Sequence, residues 1–400
     1  MSNAVLILQT QSRGGLSCVR SLGRKGIPVV AADSDHVAVG FFSRYCSGRL
    51  VYPSPDVSEE RFVATILAEL GRRVYDMLVP MYAPTLLPLA RHKTEVEKLT
   101  RFPFLDHESL MQGGDKARTA VIAKRCGIRV PNTNVVHSEQ DINMALEDLG
   151  LPAILRPREA QGSAGLRRIT RRDEALNVWH EVSSRFGPTI VQEYIPWGGF
   201  TYDVDVLMNF HSEPRAVFVA KRVRTYPPLA GPTACGQGVE YPELADTAVR
   251  LLQEMGWQGP AEVEFRIDPR DGKPTLMEVN PRLWGSLHTA MVAGIDFPYL
   301  LYRMAMDGDV EPVLDYRTDR RARYFFTLDM LCMATHPRKR TIVNEWLRDF
   351  ADPRTSMFLP SLKDPLPLFG KFFASIIYGT RPSRLQRRLS GLREQWNIAS

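Results

Sequence analysis

The sequence predicts two fold classes in one chain: an α/β N-terminal domain on a doubly wound parallel sheet, then an α+β region in two lobes. Three observations carry this. From residue 4 to about 115, apolar runs alternate with amphipathic helical stretches, the pattern of parallel strands covered by helices. From 190 to 310 strand follows strand, which argues for a mostly antiparallel sheet. The chain of 400 residues is also too long for one compact core, so two or three domains are expected.

Each element follows in order. "AVLIL" is an apolar strand, "SRGG" a turn, "LSCVRSLGRKG" an amphipathic helix ended by Gly26, and "IPVVAAD" a second buried strand. The helix "SEERFVATILAEL" and the strand "YDMLVPM" come next. Asp33, at the end of the second strand, suggests a ribose contact. Ser12-Arg13-Gly14-Gly15 lacks the full GxGxxG, however, which argues against a dinucleotide site. From 115 the pattern resets: "KARTAVIAKRCG" is a helix stopped at Gly127, and the strands "LPAILRP" and "LRRIT" bracket the loop "REAQGSAG". The strands "TIVQEYI", "YDVDVLMN", "RAVFVAKRV", "PAEVEFRID" and "PTLMEVN" follow, with helices at 244–255 and 287–305. Past 310 the pattern dissolves into short helices and Pro-punctuated loops. The expected divisions are 1–114, 115–190, 191–310 and a C-terminal extension, 311–400.

Composition narrows the function classes. Charged residues are 24% and hydrophobic residues 44%, ordinary for a soluble globular chain. The start "MSNAVLILQT" lacks the basic region of a secretory signal, and no apolar run approaches the roughly 18 residues of a membrane span. Five scattered cysteines form no CxxC pair, so no disulfide framework or zinc site is indicated and a reducing cytoplasm fits. The net charge is +6, of which +5 falls between Lys371 and Ser400. A basic tail on a nearly neutral body does not indicate a nucleic-acid partner. The tail, "LPLFGKFFASIIYGTRPSRLQRRLSGLREQW", has two readings. One is an interfacial helix on anionic lipid at the inner membrane face. The other is a helix packed on the body, which Phe372-Phe373 and Ile376-Ile377 suit equally well.

The chemistry concentrates in "TLMEVNPRLWGS", 275–286. Glu278, Asn280 and Arg282 alternate, so on a strand they share one face, while Met277, Val279 and Leu283 take the other. In "PAEVEFRID", Glu262, Glu264 and Arg266 alternate likewise, and Asp271-Gly272 between the two runs is a strong hairpin signal. Paired antiparallel strands would bring Glu264, Glu278 and Asn280 around one point. Hard oxygens of this kind suit Mg²⁺, which completes its shell with phosphates and water. Gly162, Ser163 and Gly165 make a flexible loop able to turn backbone N–H groups toward phosphate oxygens, with Arg156 and Arg158 at its base. "TIVQEYI" ends as a strand whose backbone groups could meet an adenine edge. Each motif alone has a bland reading: a wet-faced strand, a glycine-rich hairpin, an edge strand.

Together, Asp115-Lys116, "GIRVPNT", "LPAILRP", "GSAG", "VQEYI" and "EVEF…MEVNPR" resemble the ATP-grasp superfamily of carboxylate–amine and carboxylate–thiol ligases. The resemblance covers roughly residues 1–305. It is strongest to stand-alone amino-acid ligases and the ATP-binding halves of carbamoyl-phosphate synthetases. Biotin-dependent carboxylases are least similar, since no biotinyl-carrier segment follows. The resemblance implies a two-lobed ATP-grasp fold with ATP between the lobes. Lys116 and Arg156 would contact phosphates, and arginine at 156, where many members have lysine, gives a forked, permanently charged donor. Gln192, Glu193 and Ile195 would frame adenine, and Thr201 or Asp203 would stand at the ribose. Glu264, Glu278 and Asn280 would bind one or two Mg²⁺ ions, with Mn²⁺ as a substitute. Arg282 would hold the substrate carboxylate, and Lys221 and Arg222 are candidates for the γ-phosphate. Trp284, Ser286 and His288 could line the acceptor pocket. The implied activity joins a small carboxylate, activated as an acyl phosphate, to an amine, with an amino acid or peptide-like compound as the expected substrate. The alternative is an ATP-binding scaffold or regulatory protein without turnover. A homodimer is the default for a soluble enzyme.

Overall fold

The computed structural model describes residues 3–159, 164–228, 231–336, 339–359 and 361–379. Its strands fall into three sheets. The first is parallel, in the order β3-β2-β1-β4, from β1 (Ala4–Ile7), β2 (Val29–Asp33), β3 (Gly48–Val51) and β4 (Tyr75–Val79). Every residue of β1, β2 and β4 is buried, as uninterrupted apolar runs in a parallel sheet require. The helix Arg13–Arg24 follows β1, and Ser12 caps its N-terminus by accepting from the Gly15 N–H at 2.9 Å. Asp33 is no free ribose acid. Its carboxylate accepts from the backbone N–H of Gln11 and of Asp35, and burial pushes its pKa up to about 6.

The second sheet is antiparallel, in the order β5-β8-β6-β7, from β5 (Thr133–Val136), β6 (Ala153–Pro157), β7 (Arg167–Ile169) and β8 (Thr189–Glu193). The helix Lys116–Arg125 leads into it, with Asp115 as its N-cap and Gly127 at φ +69° after its end.

The third sheet has seven strands, in the order β13-β12-β9-β10-β11-β14-β15. They are β9 (Thr201–Met208), β10 (Pro214–Thr225), β11 (Thr233–Gly238), β12 (Gly259–Ile267), β13 (Pro274–Asn280), β14 (Arg321–Arg323) and β15 (Thr355–Met357). The turn between β12 and β13 is closed by the Gly272 N–H on the Asp268 carbonyl, with Gly272 at φ +73°, so the Asp-Gly signal does what it promised. The single helix expected over 287–305 is two, Leu287–Ala293 and Phe297–Asp307. Gly294 turns left-handed at φ +119°, and Asp296 caps a new start from which Pro298 can continue.

The extension past 310 is built into the body. β14 pairs with β11, β15 pairs with β14, and the helix Leu366–Gly379 lies against residues 39–42 of the first domain. A Cβ added to Gly370 would stand 2.4 Å from the Phe42 ring, so the approach needs glycine there. Arg20 and Asp364, both buried, lock the junction at 2.8 Å. The described part of the tail therefore packs on the body, with Phe369, Phe372 and Phe373 partly exposed. The arginine-rich segment after 379 lies outside the described residues, and among the described residues no helix is long and apolar enough to cross a membrane.

Candidate functional site

A cleft of 490 Å³ takes one wall from β6 and β8 and another from β12 and β13. The first domain contributes Arg13 and Tyr82 to it. Glu264 and Glu278 are direct partners across β12 and β13, and Glu262 faces Asn280. All four side chains therefore share the face turned to the cleft. A register shift follows: Glu264 pairs with Glu278 but Phe265 with Leu276. Met277 is the extra residue of this bulge and lines the cleft, contrary to strict alternation.

Charges order this face. Arg156 Nη2, from β6, donates to Glu278 Oε2 at 3.0 Å, bridging the two sheets. Burial works to raise the Glu278 carboxyl, but Arg156 and Lys116 outweigh it and hold the pKa down to about 2. Burial, then the Arg156 charge, pushes the Lys116 ammonium down to about 7. Asn280 Nδ2 donates to Glu262 at 3.2 Å and Glu278 at 3.3 Å, and its Oδ1 accepts from Arg282 Nη2 at 3.1 Å. Burial, then Asp203, pushes Glu262 up to about 8.

Among the described residues no group of three or more His, Cys, Asp or Glu side chains forms a self-contained metal cage. Two facing carboxylates and one amide oxygen fit a divalent ion that arrives with phosphates and completes its shell with water. Such an ion, when bound, would supply charge to polarise a phosphoryl oxygen.

Gln192, Glu193 and Ile195 line the cleft with Ile154 and Tyr194. Glu193 also accepts from Arg270 at 2.6 Å. Gly165 sits at φ +69°, and a Cβ there would meet Phe186 and Pro157 at 2.8 Å. Gly162 and Ser163 lie outside the described residues. Lys221 is placed elsewhere than expected. It stacks on Phe200, 3.3 Å from the ring centroid, while Arg222 on the opposite face of β10 reaches the cleft. Successive residues of a strand face opposite ways, so only one of this adjacent pair can enter. Asp203 is likewise withdrawn from its expected place at a ribose: it is buried and bound by Arg222 Nε at 2.9 Å and Nη2 at 2.6 Å. The same Arg222 donates to Glu264 at 2.5 Å. Ser286 lines the cleft, whereas Trp284 is core against Phe297 and His288 is half-buried beside Ser356.

Arg13, Tyr82, Trp197 and Arg266 also line the cleft and had no role from the sequence. The Arg266 guanidinium lies 4.0 Å over the Trp197 ring. Its position in phase with Glu262 and Glu264 was the signal for it. Arg13 and Tyr82 come from distant chain and carried none.

Residues 185–326 match the family described as "ATP-grasp in the biosynthetic pathway with Ter operon". The carbamoyl phosphate synthase large chain of Mycobacterium sp. (strain JLS) is 23% identical over 332 residues, covering 79% of this chain and 30% of its own length. This chain thus spans less than a third of that relative. In fold, a biotin carboxylase from Campylobacter jejuni superposes with TM-score 0.64 at 16% identity, covering 79% of this chain and 74% of that one. An L-amino acid ligase from Bacillus licheniformis gives 0.59 at 18% identity, covering 80% and 78%. Fold likeness to a biotin carboxylase is therefore no weaker than to an amino-acid ligase, contrary to expectation. Sheets, cleft and matches agree in direction: residues 185–326 match an ATP-grasp family, and the chain is similar in fold to both of these enzymes.

Proposed function

We propose that this protein is an ATP-dependent ligase that activates a small carboxylate as an acyl phosphate and couples it to an amine, with an amino acid or peptide-like compound among its substrates. The observation that carries this reading is the register of Glu264 opposite Glu278, with Arg156 and Lys116 beside Glu278 and Arg282 on Asn280. In this reading a carboxylate oxygen attacks the γ-phosphorus of ATP and ADP departs. The amine then attacks the acyl carbon, loses a proton, and inorganic phosphate leaves. Lys116 and Arg156 bind and orient the phosphates. Arg282 holds the carboxylate and steadies the oxyanion, a contribution on the order of 10²–10³ in rate for one well-placed donor. Mg²⁺ held by Glu264, Glu278 and Asn280 supplies Lewis-acid charge when bound.

The test is ADP release from ATP and Mg²⁺ across panels of carboxylic acids and amines, with hydroxylamine to trap the activated acid. Acid-dependent hydroxamate supports the ligase. Tight nucleotide binding without hydroxamate or ADP from any acid supports the non-catalytic alternative instead.

A further inference from the structure

Arg13 is one of the cleft residues that the ligase reading leaves without a role. It opens the helix Arg13–Arg24, and its guanidinium spans three parts of the chain. Nη1 donates to the Thr233 carbonyl at 2.7 Å, and Cζ lies 4.3 Å over the ring of Tyr324, from the C-terminal extension. Nη2 faces Gly285: a Cβ placed there would lie 3.1 Å from Nη2 and 3.3 Å from Tyr82 Oη. The Arg282 guanidinium lies 4.7 Å over the Tyr82 ring. Both arginines therefore border the same tyrosine, and a glycine leaves the space beside Arg13 open. The spacing is fixed by packing, because a Cβ on Gly14 would meet the Trp284 carbonyl at 2.7 Å.

Several other arginines at or below the surface have acids: Arg20 has Asp364, Arg156 has Glu278, Arg222 has Asp203 and Glu264, and Arg224 has Asp329. Arg13 has a carbonyl and an aromatic face. Among the described residues no carboxylate lies within ion-pair distance of it. A guanidinium carries five N–H donors in a planar fork suited to carboxylate or phosphate, and one of Arg13's is spent on Thr233.

Resting on the ligase reading for the reacting carboxylate at Arg282, we infer that Arg13 binds a second anionic group of the acid substrate, a carboxylate or a phosphate, and so selects doubly anionic acids. Tyr324 positions it from behind, which makes the C-terminal extension part of the substrate site.

The experiment is calorimetric titration of the full chain, loaded with Mg²⁺ and a non-hydrolysable ATP analogue. Succinate against succinamate and glutarate against glutaramate form one arm, and O-phosphoserine against serine forms the other. Wild type is expected to favour the doubly anionic member by about tenfold or more in one arm, the scale of one charge-assisted contact, and that arm names the group. Arg13→Gln is expected to erase the preference and leave affinity for the ATP analogue unchanged. Should Arg13→Gln not fold, Gly285→Val, which fills the space beside Nη2, is expected to erase it instead. A preference that survives the variant, or a wild type with none in either arm, overturns the inference. A preference for two anions with no hydroxamate from any acid would sink the ligase and leave the Arg13 subsite standing.

Discussion

Glu278 is where the charges of the cleft meet. Arg156 and Asn280 both donate to its carboxylate, and Lys116 stands close enough to stabilise it. Glu278→Gln keeps the shape and removes the charge, and Arg282→Ala removes a fork. Each is expected to lower kcat by more than about 10²-fold, the scale of losing one preorganised electrostatic contact, with the circular-dichroism melt unchanged. Rates within a few-fold of wild type would remove that residue from the chemistry. Lys116 gives a second test. In the free protein its pKa of about 7 leaves it half neutral near pH 7, and a bound triphosphate favours the charged form. Nucleotide binding then takes up a proton, so affinity falls as pH rises above 7, by up to about tenfold per pH unit. Titration in buffers of different ionisation enthalpy reads the proton directly, and Lys116→Met is expected to abolish the uptake. At this scale Glu264, Glu278, Asn280 and Arg282 were legible because period two puts them on one face. The choice between Lys221 and Arg222 was not, since a slip of one residue in register exchanges the faces and nothing local fixes the register of β10.

The hairpin of β12 and β13 could be read from the chain because its signals are local: alternation on both arms and an Asp-Gly turn between them. β14 and β15 could not. "RAR" and "TSM" carry no apolar run, and their burial rests on charge pairs. Arg323 is wholly buried and shares Asp329, also wholly buried, with Arg224 from β10. Such a junction is invisible to hydrophobic periodicity, because it rests on charge and because Arg224 and Asp329 are 105 residues apart. It is also the place where one substitution does the most harm to the sheet. Asp329→Asn leaves two guanidiniums buried without their shared charge and is expected to cost about 3–5 kcal/mol. Urea denaturation monitored by tryptophan fluorescence measures it. A loss under about 1 kcal/mol, the level of an exposed pair, would mean the network contributes little.

Across the whole molecule, three chain segments converge on one cleft. The second and third sheets form its walls, while the N-terminal region and the extension meet at Arg13 through Tyr324. Arg20 and Asp364, which do not themselves line the cleft, fasten that same junction from behind. In this structure the two carboxylates proposed for a metal are held by arginines, Glu264 by Arg222 and Glu278 by Arg156. Loading the site must therefore exchange guanidinium for cation at Glu264 or share it at Glu278. A crystal structure with Mg²⁺ and a non-hydrolysable ATP analogue tests this most directly. An ion is expected between Glu264, Glu278 and the phosphate oxygens, with Lys116 and Arg156 on the phosphates. A nucleotide bound outside the cleft, or one bound within it while both carboxylates keep their arginines and no ion lies between them, would contradict it.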